Sequence, residues 1–364
     1  MEKRIYNFSP GPAVLPLPVL EEAQRDLVSY PGAGCSILEI SHRSKTFDKI
    51  ITQAEANIRT LLAIPDNYRV LFMQGGAVLQ FGMIPMNLLR GTGKPADYIV
   101  NGTWSKKALD EAKTQGNAKA IWDGKPSNYN RVPKQSELKI DADAAYAYMC
   151  INETIQGVQY QTVPDVGDVP LVCDASSEIL SRPIPVQKFG LIFACAQKNL
   201  GPAGVTLVVI RDDLVAKSPA DVPSLLNYKV FAEGKSLLNT PPTFAIYMVK
   251  LVTDWLLNTI GGLAKMAEIN KQKAKMLYDV IAESKGFYMA HAEPDCRSVM
   301  NVPFKLAKTE LEEPFLKQAA AQGLCELKGH RSVGGCRASI YNAMPVEGVK
   351  LLRDFMLDFA KQNA

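Results

Sequence analysis

The sequence predicts an α/β fold with a mainly parallel sheet and flanking helices, followed by a smaller α+β domain at the C-terminal end. Short apolar runs alternate with segments of helical period as far as residue 210, which is typical of parallel strands joined by crossover helices. Beyond that point the chain changes to two long helices and then to a mixture of strands and helices. The two parts of the chain therefore predict different architectures.

A glycine pair, Gly261 and Gly262, interrupts the helical pattern between the two long helices. We place the change of domain there. The expected large domain covers 17–258, and the expected small domain combines 1–16 with 259–364. A chain of 364 residues is long enough for two such domains.

The individual elements follow from local patterns. Segment 44–62 predicts a helix because apolar residues recur at helical spacing after Ser44, which is a suitable cap. Strands are predicted at 68–73, 97–101, 119–122, 146–151, 170–173, 191–196, 205–210, 298–304 and 336–341. Further helices are predicted from 77 to 89 and at 105–115, 243–258, 262–284, 310–322 and 346–361.

Composition and charge exclude several classes of protein. Hydrophobic residues make up 47% of the chain and charged residues 21%, an ordinary globular composition. The net charge is only +4 and no long basic run occurs, so we expect no nucleic-acid partner. No uninterrupted apolar stretch reaches the roughly 18 residues of a membrane span, and Met1 to Phe8 lack the apolar core of a signal peptide.

Cysteine and histidine usage indicates the compartment and argues against a metal. The seven cysteines contain no Cys-x-x-Cys pair, and several lie in apolar runs where they pack as small hydrophobes. We therefore expect reduced thiols and a cytoplasmic location. None of the three histidines has metal-ligand spacing, so we expect no metal site.

Lys198 is the first candidate catalytic residue. It follows the apolar run 191–197 and precedes a glycine-containing turn and a second apolar run at 205–210. An amine at a buried strand end can form a Schiff base with a carbonyl cofactor, and we expect burial and nearby cations to lower its pKa. The alternative is a surface lysine that opens a loop.

Asp174 is the second candidate, because it ends the neighbouring apolar run 170–173. Pyridoxal 5′-phosphate (PLP) needs a carboxylate partner for its ring nitrogen and a lysine for its aldehyde. Since adjacent strand ends of such a sheet face one crevice, Asp174 and Lys198 together predict a PLP site. The alternative for Asp174 is a turn or cap carboxylate.

Three further motifs suit the same cofactor. The glycines of 74–77 join a strand to a helix, and a helix N-terminus with free N–H groups suits the PLP phosphate. Trp104 follows another strand and can stack on a flat ring, and Thr154 can bond the ring hydroxyl. The alternatives are a tight turn, core packing and a helix cap. No nicotinamide or P-loop fingerprint occurs.

Two His-Arg pairs and one lone arginine predict a substrate with anions at both ends. The pairs are His42-Arg43 and His330-Arg331, and Arg337 stands alone. Arginine binds carboxylate and phosphate in a fork geometry. The alternative is a set of exposed basic loops.

Collected in order, these segments resemble the phosphoserine aminotransferases, fold-type I PLP enzymes of the class V aminotransferase group. The resemblance covers essentially the whole chain. It rests on the segments 7–13, 40–44, 72–77, 101–105, 152–155, 196–204, 238–243 and 329–335.

The resemblance implies a seven-stranded type of sheet and a role for each candidate residue. Lys198 would carry the cofactor and shuttle the proton, and Asp174 would pair with the ring nitrogen. Arg337 would bind the α-carboxylate. The other implied cofactor-binding residues are Gly76, Ala77, Trp104, Thr154 and Gln197, with Asn239 and Thr240 reaching the cofactor of a neighbouring subunit. The implied distal-anion residues are His330 and Arg331, with His42 and Arg43 from the partner of an obligate homodimer.

The implied reaction is the reversible transamination of 3-phosphohydroxypyruvate with glutamate, giving phosphoserine and 2-oxoglutarate in serine biosynthesis. The family also serves bacterial pyridoxine synthesis through a phosphohydroxythreonine, and the sequence leaves that role open. Two rivals stay open as well. A cysteine desulfurase needs a mobile nucleophilic cysteine and would release sulfide from cysteine, and a non-catalytic PLP-binding protein on the same fold would fail a transaminase assay.

Overall fold

A computed structural model describes residues 4–363, so Met1 to Lys3 and Ala364, which belong to the predicted small domain and the predicted N-terminal pattern, lie outside the described residues. The strands are β1 (Tyr6–Asn7), β2 (Tyr68–Met73), β3 (Ala96–Val100), β4 (Ala118–Asp123), β5 (Tyr146–Cys150), β6 (Asn152–Glu153), β7 (Val158–Gln159), β8 (Leu171–Asp174), β9 (Leu191–Cys195), β10 (Thr206–Arg211), β11 (Tyr288–Ala290), β12 (Asn301–Leu306), β13 (Leu324–Cys325) and β14 (Cys336–Ser339). The helices are α1 (Leu17–Asp26), α2 (Lys45–Leu62), α3 (Gly76–Leu88), α4 (Thr103–Ala112), α5 (Asp212–Val215), α6 (Tyr228–Glu233), α7 (Thr243–Asp254), α8 (Leu263–Glu283), α9 (Glu312–Ala321) and α10 (Val346–Asn363).

A seven-stranded sheet in the order β2-β10-β9-β8-β5-β3-β4 forms the centre of the molecule. Strand β10 runs antiparallel to β2 and β9, and the other pairings are parallel. The predicted α/β class and the mainly parallel sheet are therefore confirmed. The antiparallel direction of β10 was not predicted, although the connection from β9 to β10 (196–205) has only ten residues and parallel neighbours need a longer crossover.

Helices cover both faces of this sheet. Along β9 the side chains alternate between the faces, so Ile192 and Ala194 pack in one hydrophobic cluster while Leu191 and Phe193 pack in the other. Helices α2 and α7 pack together on the first face, and α3 and α4 pack together on the second. A core on both sides leaves only the strand ends free to build a site.

Helix α2 shows why the sequence prediction of a helix at 44–62 succeeds. The Ser44 hydroxyl accepts a hydrogen bond from the Phe47 N–H (3.2 Å), which caps the first turn. Phe47, Ile50 and Ile58 lie on one face and are buried. Ala63 ends the helix in the left-handed conformation.

The C-terminal part has a separate core. Strands β11, β12 and β14 form an antiparallel sheet that packs with α8, α9 and α10. Phe315 of α9 lies at the centre of an aromatic cluster, with ring centroids 5.0 Å from Phe355 and 5.2 Å from Phe359. The N-terminal strand β1 pairs in parallel with β13, so the first residues of the described chain join this C-terminal core.

The expected domain boundary coincides with a break in the helical backbone. A π-helical turn at Trp255–Ile260 continues α7, and Gly261 and Gly262 then take φ values of 88° and 95° before α8 begins. Such values favour glycine. Helix α8 nevertheless touches both cores, because Leu263 and Met266 pack with the large sheet while Leu277 packs in the C-terminal cluster. The division at 258 stays a prediction.

Within residues 4–363, no helix combines the length and the apolar character that a membrane span requires. Several short elements were not predicted from the sequence, among them α1, α5, α6 and β11. The strand predicted at 298–304 begins at Asn301. These elements are short or lie beside proline, and their periodic pattern is correspondingly weak.

Replacing Phe315 with alanine should destabilise the C-terminal core. The side chain is fully buried, and loss of a buried phenylalanine costs about 3–5 kcal/mol. We expect a lower urea midpoint in unfolding followed by circular dichroism. Gln318→Ala on the exposed side of the same helix is the control and should change the free energy of unfolding by no more than about 0.5 kcal/mol. Equal midpoints for the two variants would contradict the assignment of this core.

Candidate active site

The candidate site lies where the carboxyl ends of β2, β3, β5, β8 and β9 meet at one edge of the large sheet. This edge holds a cavity of about 190 Å³. The predicted site residues that line it are Gly76, Ala77, Trp104, Thr154, Asp174, Gln197 and Lys198. The fold therefore brings together, in one enclosed space, residues spread over more than 120 positions of sequence.

Lys198 enters the cavity from the turn after β9 and is 9% exposed. Its Nζ donates to the hydroxyl oxygens of Thr154 (2.7 Å) and Ser177 (2.8 Å). These two hydroxyls lie 2.6 Å from each other. The amine is thus fixed at the corner of a triangle of polar atoms.

The expectation of a lowered pKa for Lys198 was wrong. Burial does act to lower the pKa of this amine, but Tyr341, Cys195 and Asp174 act in the opposite direction, and the pKa is raised above its ordinary value. The apolar run in the sequence indicates burial, but it does not show the acidic groups that other segments bring to the same cavity.

Asp174 ends β8 and stands in register with Cys150 of β5 and Phe193 of β9. The carboxyl is almost fully buried. Burial raises its pKa, and the hydrogen bonds from Ser176 together with the charge of Lys198 offset only part of that rise. One of those bonds comes from the Ser176 N–H to Oδ1 (2.9 Å). A cation placed in the cavity would stabilise the ionised form of this carboxyl.

The N-terminus of α3 opens into the same cavity. Gly75 and Gly76 have φ values of 90° and 70°, which residues other than glycine rarely adopt. This backbone lets the chain turn from β2 straight into the helix, so that Gly76 and Ala77 present the first helical turn to the cavity. Free N–H groups and the helix dipole at such an end favour an anion.

Trp104 is held by the cap of its own helix. The carboxylate of Glu153 accepts hydrogen bonds from the N–H groups of Trp104 (3.0 Å) and Ser105 (2.8 Å) at the start of α4. Gly102 is required beside it, because a Cβ there would overlap the Glu153 side chain. Burial raises the pKa of Glu153 to about 7 despite these bonds. The indole is thereby fixed at the wall of the cavity.

Arg337 lies beside the cavity as a buried cation. It is 6% exposed, and its Nη1 makes a long contact of 3.5 Å with the carbonyl oxygen of Thr154. Its Nε has no hydrogen-bond partner among residues 4–363. Burial lowers its pKa, and only Tyr341 opposes that shift. A buried guanidinium of this kind is a receptor for a carboxylate.

His330 and Arg331 stand on the loop between β13 and β14, close to Arg337. Burial and the charges of Arg337, Arg331 and Lys107 lower the pKa of His330. Its Nδ1 lies 2.8 Å from the Ser332 hydroxyl. Arg331 is exposed. Arg331 therefore contributes positive charge on the loop near Arg337.

Arg337, His330 and Arg331 lie outside the cavity lining itself, and four further predicted residues are also absent from it. His42 and Arg43 lie in the turn before α2, where Arg43 is exposed and the half-buried His42 has an Nε2 atom without a partner within the described chain. Asn239 and Thr240 lie in the loop before α7. Gln74, next to the α3 N-terminus, donates to the Thr240 carbonyl oxygen (3.2 Å).

Several cavity residues were not predicted from the sequence. Ser176 and Ser177 bond Asp174 and Lys198, and Cys150 and Cys195 line the cavity. The signal was available for the serines, since they directly follow a strand end that carries a predicted catalytic residue. Cys150 and Cys195 stand one residue before the ends of the predicted strands 146–151 and 191–196, but such cysteines were interpreted only as packing residues.

The arrangement fits PLP. The cavity offers an amine, a carboxyl, an aromatic ring and a helix N-terminus, which are the contacts needed by an aldehyde, a pyridine nitrogen, a flat ring and a phosphate. The buried Nε1 of Trp104 and Nε of Arg337 lack hydrogen-bond partners among the described residues, so both atoms are free to bond a ligand. Over residues 4–363, no group of three or more His, Cys, Asp or Glu residues is arranged to hold a metal ion.

Comparison with known proteins agrees with this chemistry. Residues 5–352 match the model of the family described as aminotransferase class-V. The phosphoserine aminotransferase of Rhodopirellula baltica is 54% identical over 363 residues, which cover 100% of this chain and 96% of that protein.

Solved structures agree as well. The phosphoserine aminotransferase from Bacillus circulans subsp. alkalophilus superimposes with a TM-score of 0.97 at 48% identity, over 100% of both chains. The PLP-bound phosphoserine aminotransferase from Trichomonas vaginalis gives a TM-score of 0.92 at 41% identity, over 97% of this chain and 100% of that chain. The chain therefore belongs to the class-V aminotransferase family and, within it, to the phosphoserine aminotransferases.

Proposed function

We propose that this protein catalyses the reversible transamination of 3-phosphohydroxypyruvate with glutamate, giving phosphoserine and 2-oxoglutarate, with PLP as its cofactor. The observation that carries the proposal is the shared cavity of Lys198 and Asp174 beside the buried guanidinium of Arg337, whose Nε has no partner among residues 4–363. Relatives that are 54% and 53% identical over the whole chain carry the name phosphoserine aminotransferase. The reaction belongs to serine biosynthesis, and we expect it in the cytoplasm.

When bound, PLP supplies an aldehyde for the amine and a ring that spreads the negative charge left on the substrate α-carbon. Lys198 would hold the cofactor through its Nζ and, when this amine is free, would move the proton from the substrate α-carbon to the adjacent carbon of the cofactor. The Thr154 and Ser177 hydroxyls keep its Nζ in place between these steps. Asp174 would keep the proton on the ring nitrogen of the cofactor.

Anion sites at two distances from Lys198 would give the enzyme its specificity. Arg337 binds the α-carboxylate, which both substrates share. His330 and Arg331 bind the distal group, either the phosphate of one substrate or the side-chain carboxylate of glutamate. Phosphate carries about −1.5 to −2 charge near neutral pH, so clustered cations suit it better than a single one.

A homodimer would complete the site. His42, Arg43, Asn239 and Thr240 do not line the cavity of their own chain, although they bear the groups that an anion site needs. We infer that a second copy of the chain contributes them, with Asn239 and Thr240 near the cofactor phosphate and His42 and Arg43 near the distal anion. Each active site would then lie at the subunit interface.

The first test is the substrate range of the holoenzyme. With 2-oxoglutarate as acceptor, phosphoserine should be the preferred amino donor, and serine, alanine and aspartate should react much more slowly because they lack the phosphate. Formation of glutamate, followed in a coupled assay, measures each rate. Equal rates with serine and phosphoserine would contradict a phosphate subsite.

Lys198→Ala should abolish both turnover and covalent attachment of the cofactor, because no other amine lines the cavity within the described residues. Borohydride reduction of the holoenzyme followed by peptide mass analysis measures the attachment. Lys113→Ala is the control, since this exposed lysine lies at the C-terminal end of α4, outside the cavity lining; it should keep the attachment. A Lys198→Ala protein that still transaminates at the normal rate would end the proposal.

The shared site can be tested with mixed dimers. Lys198→Ala and Arg43→Ala subunits, carrying different tags, are co-expressed, and the mixed dimer is isolated through both tags. If Arg43 acts across the interface, one of the two sites keeps both residues and about half of the wild-type activity returns. Each variant homodimer is the control and should be nearly inactive with phosphoserine. No recovery in the mixed dimer would place Arg43 in the site of its own subunit.

The desulfurase alternative has little support from the thiols. Cys150 and Cys195 line the cavity, but burial raises the pKa of both. A desulfurase needs a mobile and easily ionised thiol. Both cysteines sit at the ends of central strands, where the backbone is fixed by neighbours on both sides.

A further inference from the structure

Lys273 is a buried lysine that has no role in the proposed reaction as described so far. It lies on α8 and is fully buried. Its Nζ donates to the main-chain carbonyl oxygens of Tyr341 (2.8 Å), Ile340 (3.0 Å) and Met344 (3.2 Å), with Asn342 at 3.5 Å. Burial lowers the pKa of Lys273 to about 7, and no charged group of the described chain opposes that shift. A single amine therefore gathers the carbonyl oxygens of one short segment.

That segment, 340–344, connects β14 to α10 and reaches the active site at its other side. The Tyr341 hydroxyl donates to the Pro10 carbonyl oxygen (2.8 Å), accepts from Asn301 Nδ2 (3.1 Å) and lies 3.4 Å from the Ser177 hydroxyl. Ser177 is one of the two hydroxyls that hold the Lys198 amine. The contacts form a continuous path from Lys273 to Lys198.

A second connection runs beside the first. The N–H of Asn342 donates to Oδ1 of Asn199 (3.0 Å), the residue that follows Lys198. The Asn342 side chain also donates to the Leu180 carbonyl oxygen (2.8 Å) and accepts from Asn270 (2.8 Å). Two neighbouring residues of segment 340–344 thus contact the turn that carries Lys198 and the hydroxyl that orients it.

We propose that Lys273 is a positioning residue for the reaction: it fixes segment 340–344, so that Tyr341 and Asn342 hold Ser177 and Asn199 in place around Lys198. The proposal rests on the proposed function of Lys198. An amine has enough N–H groups to serve several carbonyl oxygens at once, whereas an apolar side chain of similar length fills the space and leaves them without a donor. The segment then loses the contacts that set its position.

The test compares the holoenzymes of Lys273→Met, Tyr341→Phe and the double variant. Loss of a hydrogen bond between neutral groups corresponds to roughly a fivefold effect, and loss of one to a charged group to about a tenfold effect or more. We therefore expect kcat to fall roughly fivefold in Tyr341→Phe and about tenfold in Lys273→Met, with KM changed less than about twofold. Because both residues act through one path, the double variant should be no slower than the slower single variant. Lys271→Met, an exposed neighbour on α8, is the matched control and should behave as wild type.

Two further measurements separate positioning from mere stability. The pH midpoint of the absorbance of the cofactor attached to Lys198 should shift in Lys273→Met and in Tyr341→Phe, because the surroundings of the amine change. In the cofactor-free protein, hydrogen exchange at 340–344 should accelerate in Lys273→Met, while α9 exchanges as in wild type. Should the methionine variant fail to fold, Lys273→Gln, which keeps an amide donor, replaces it.

Normal kcat and an unshifted absorbance midpoint in Tyr341→Phe would overturn the proposal, whatever the Lys273 variants do. Additive losses in the double variant would overturn it too, because they would mean separate paths. If wild-type protein fails to transaminate phosphoserine, the proposed function fails instead. The hydrogen-exchange result and the absorbance midpoints do not depend on the substrate and still decide the role of Lys273.

Discussion

The buried amine of Lys198 is the constraint on which the site depends. A charged nitrogen cannot remain at the end of a central strand without polar partners, and the fold supplies the hydroxyls of Thr154 and Ser177. These hydroxyls come from the segments after β5 and β8, and in the sheet β8 lies beside β9 while β5 lies on the other side of β8. Parallel order of β5, β8 and β9 is therefore what places the three groups together.

The walls of the cavity are tied to the same strand ends. Glu153, one residue before Thr154, caps α4 and so fixes Trp104. A shift of the segment after β5 would move the indole and the hydroxyl together. Such coupling means that the ring-stacking wall and the partner of Lys198 are positioned as one unit, which is how a site holds its geometry on a rigid sheet.

Much of this site was accessible from the sequence because its residues follow strand ends. Lys198 and Asp174 come directly after a recognisable apolar run and Trp104 follows one within a few residues, and the structure places all three at one cavity. Contacts between segments that are distant in the sequence could not be predicted. Neither the position of Tyr341 beside Ser177 nor the carbonyl oxygens around Lys273 leaves a local pattern. The same reason explains the wrong direction predicted for the pKa of Lys198.

The thiols of Cys150 and Cys195 have a consequence for chemical selectivity. Both stand at the wall of a cavity built to receive an aldehyde, and sulfur in its anionic form would compete with nitrogen for that carbon. Burial keeps both thiols protonated at neutral pH. The thiols of Cys150 and Cys195 are therefore unreactive, and the amine of Lys198 is the group that can bond the carbonyl carbon.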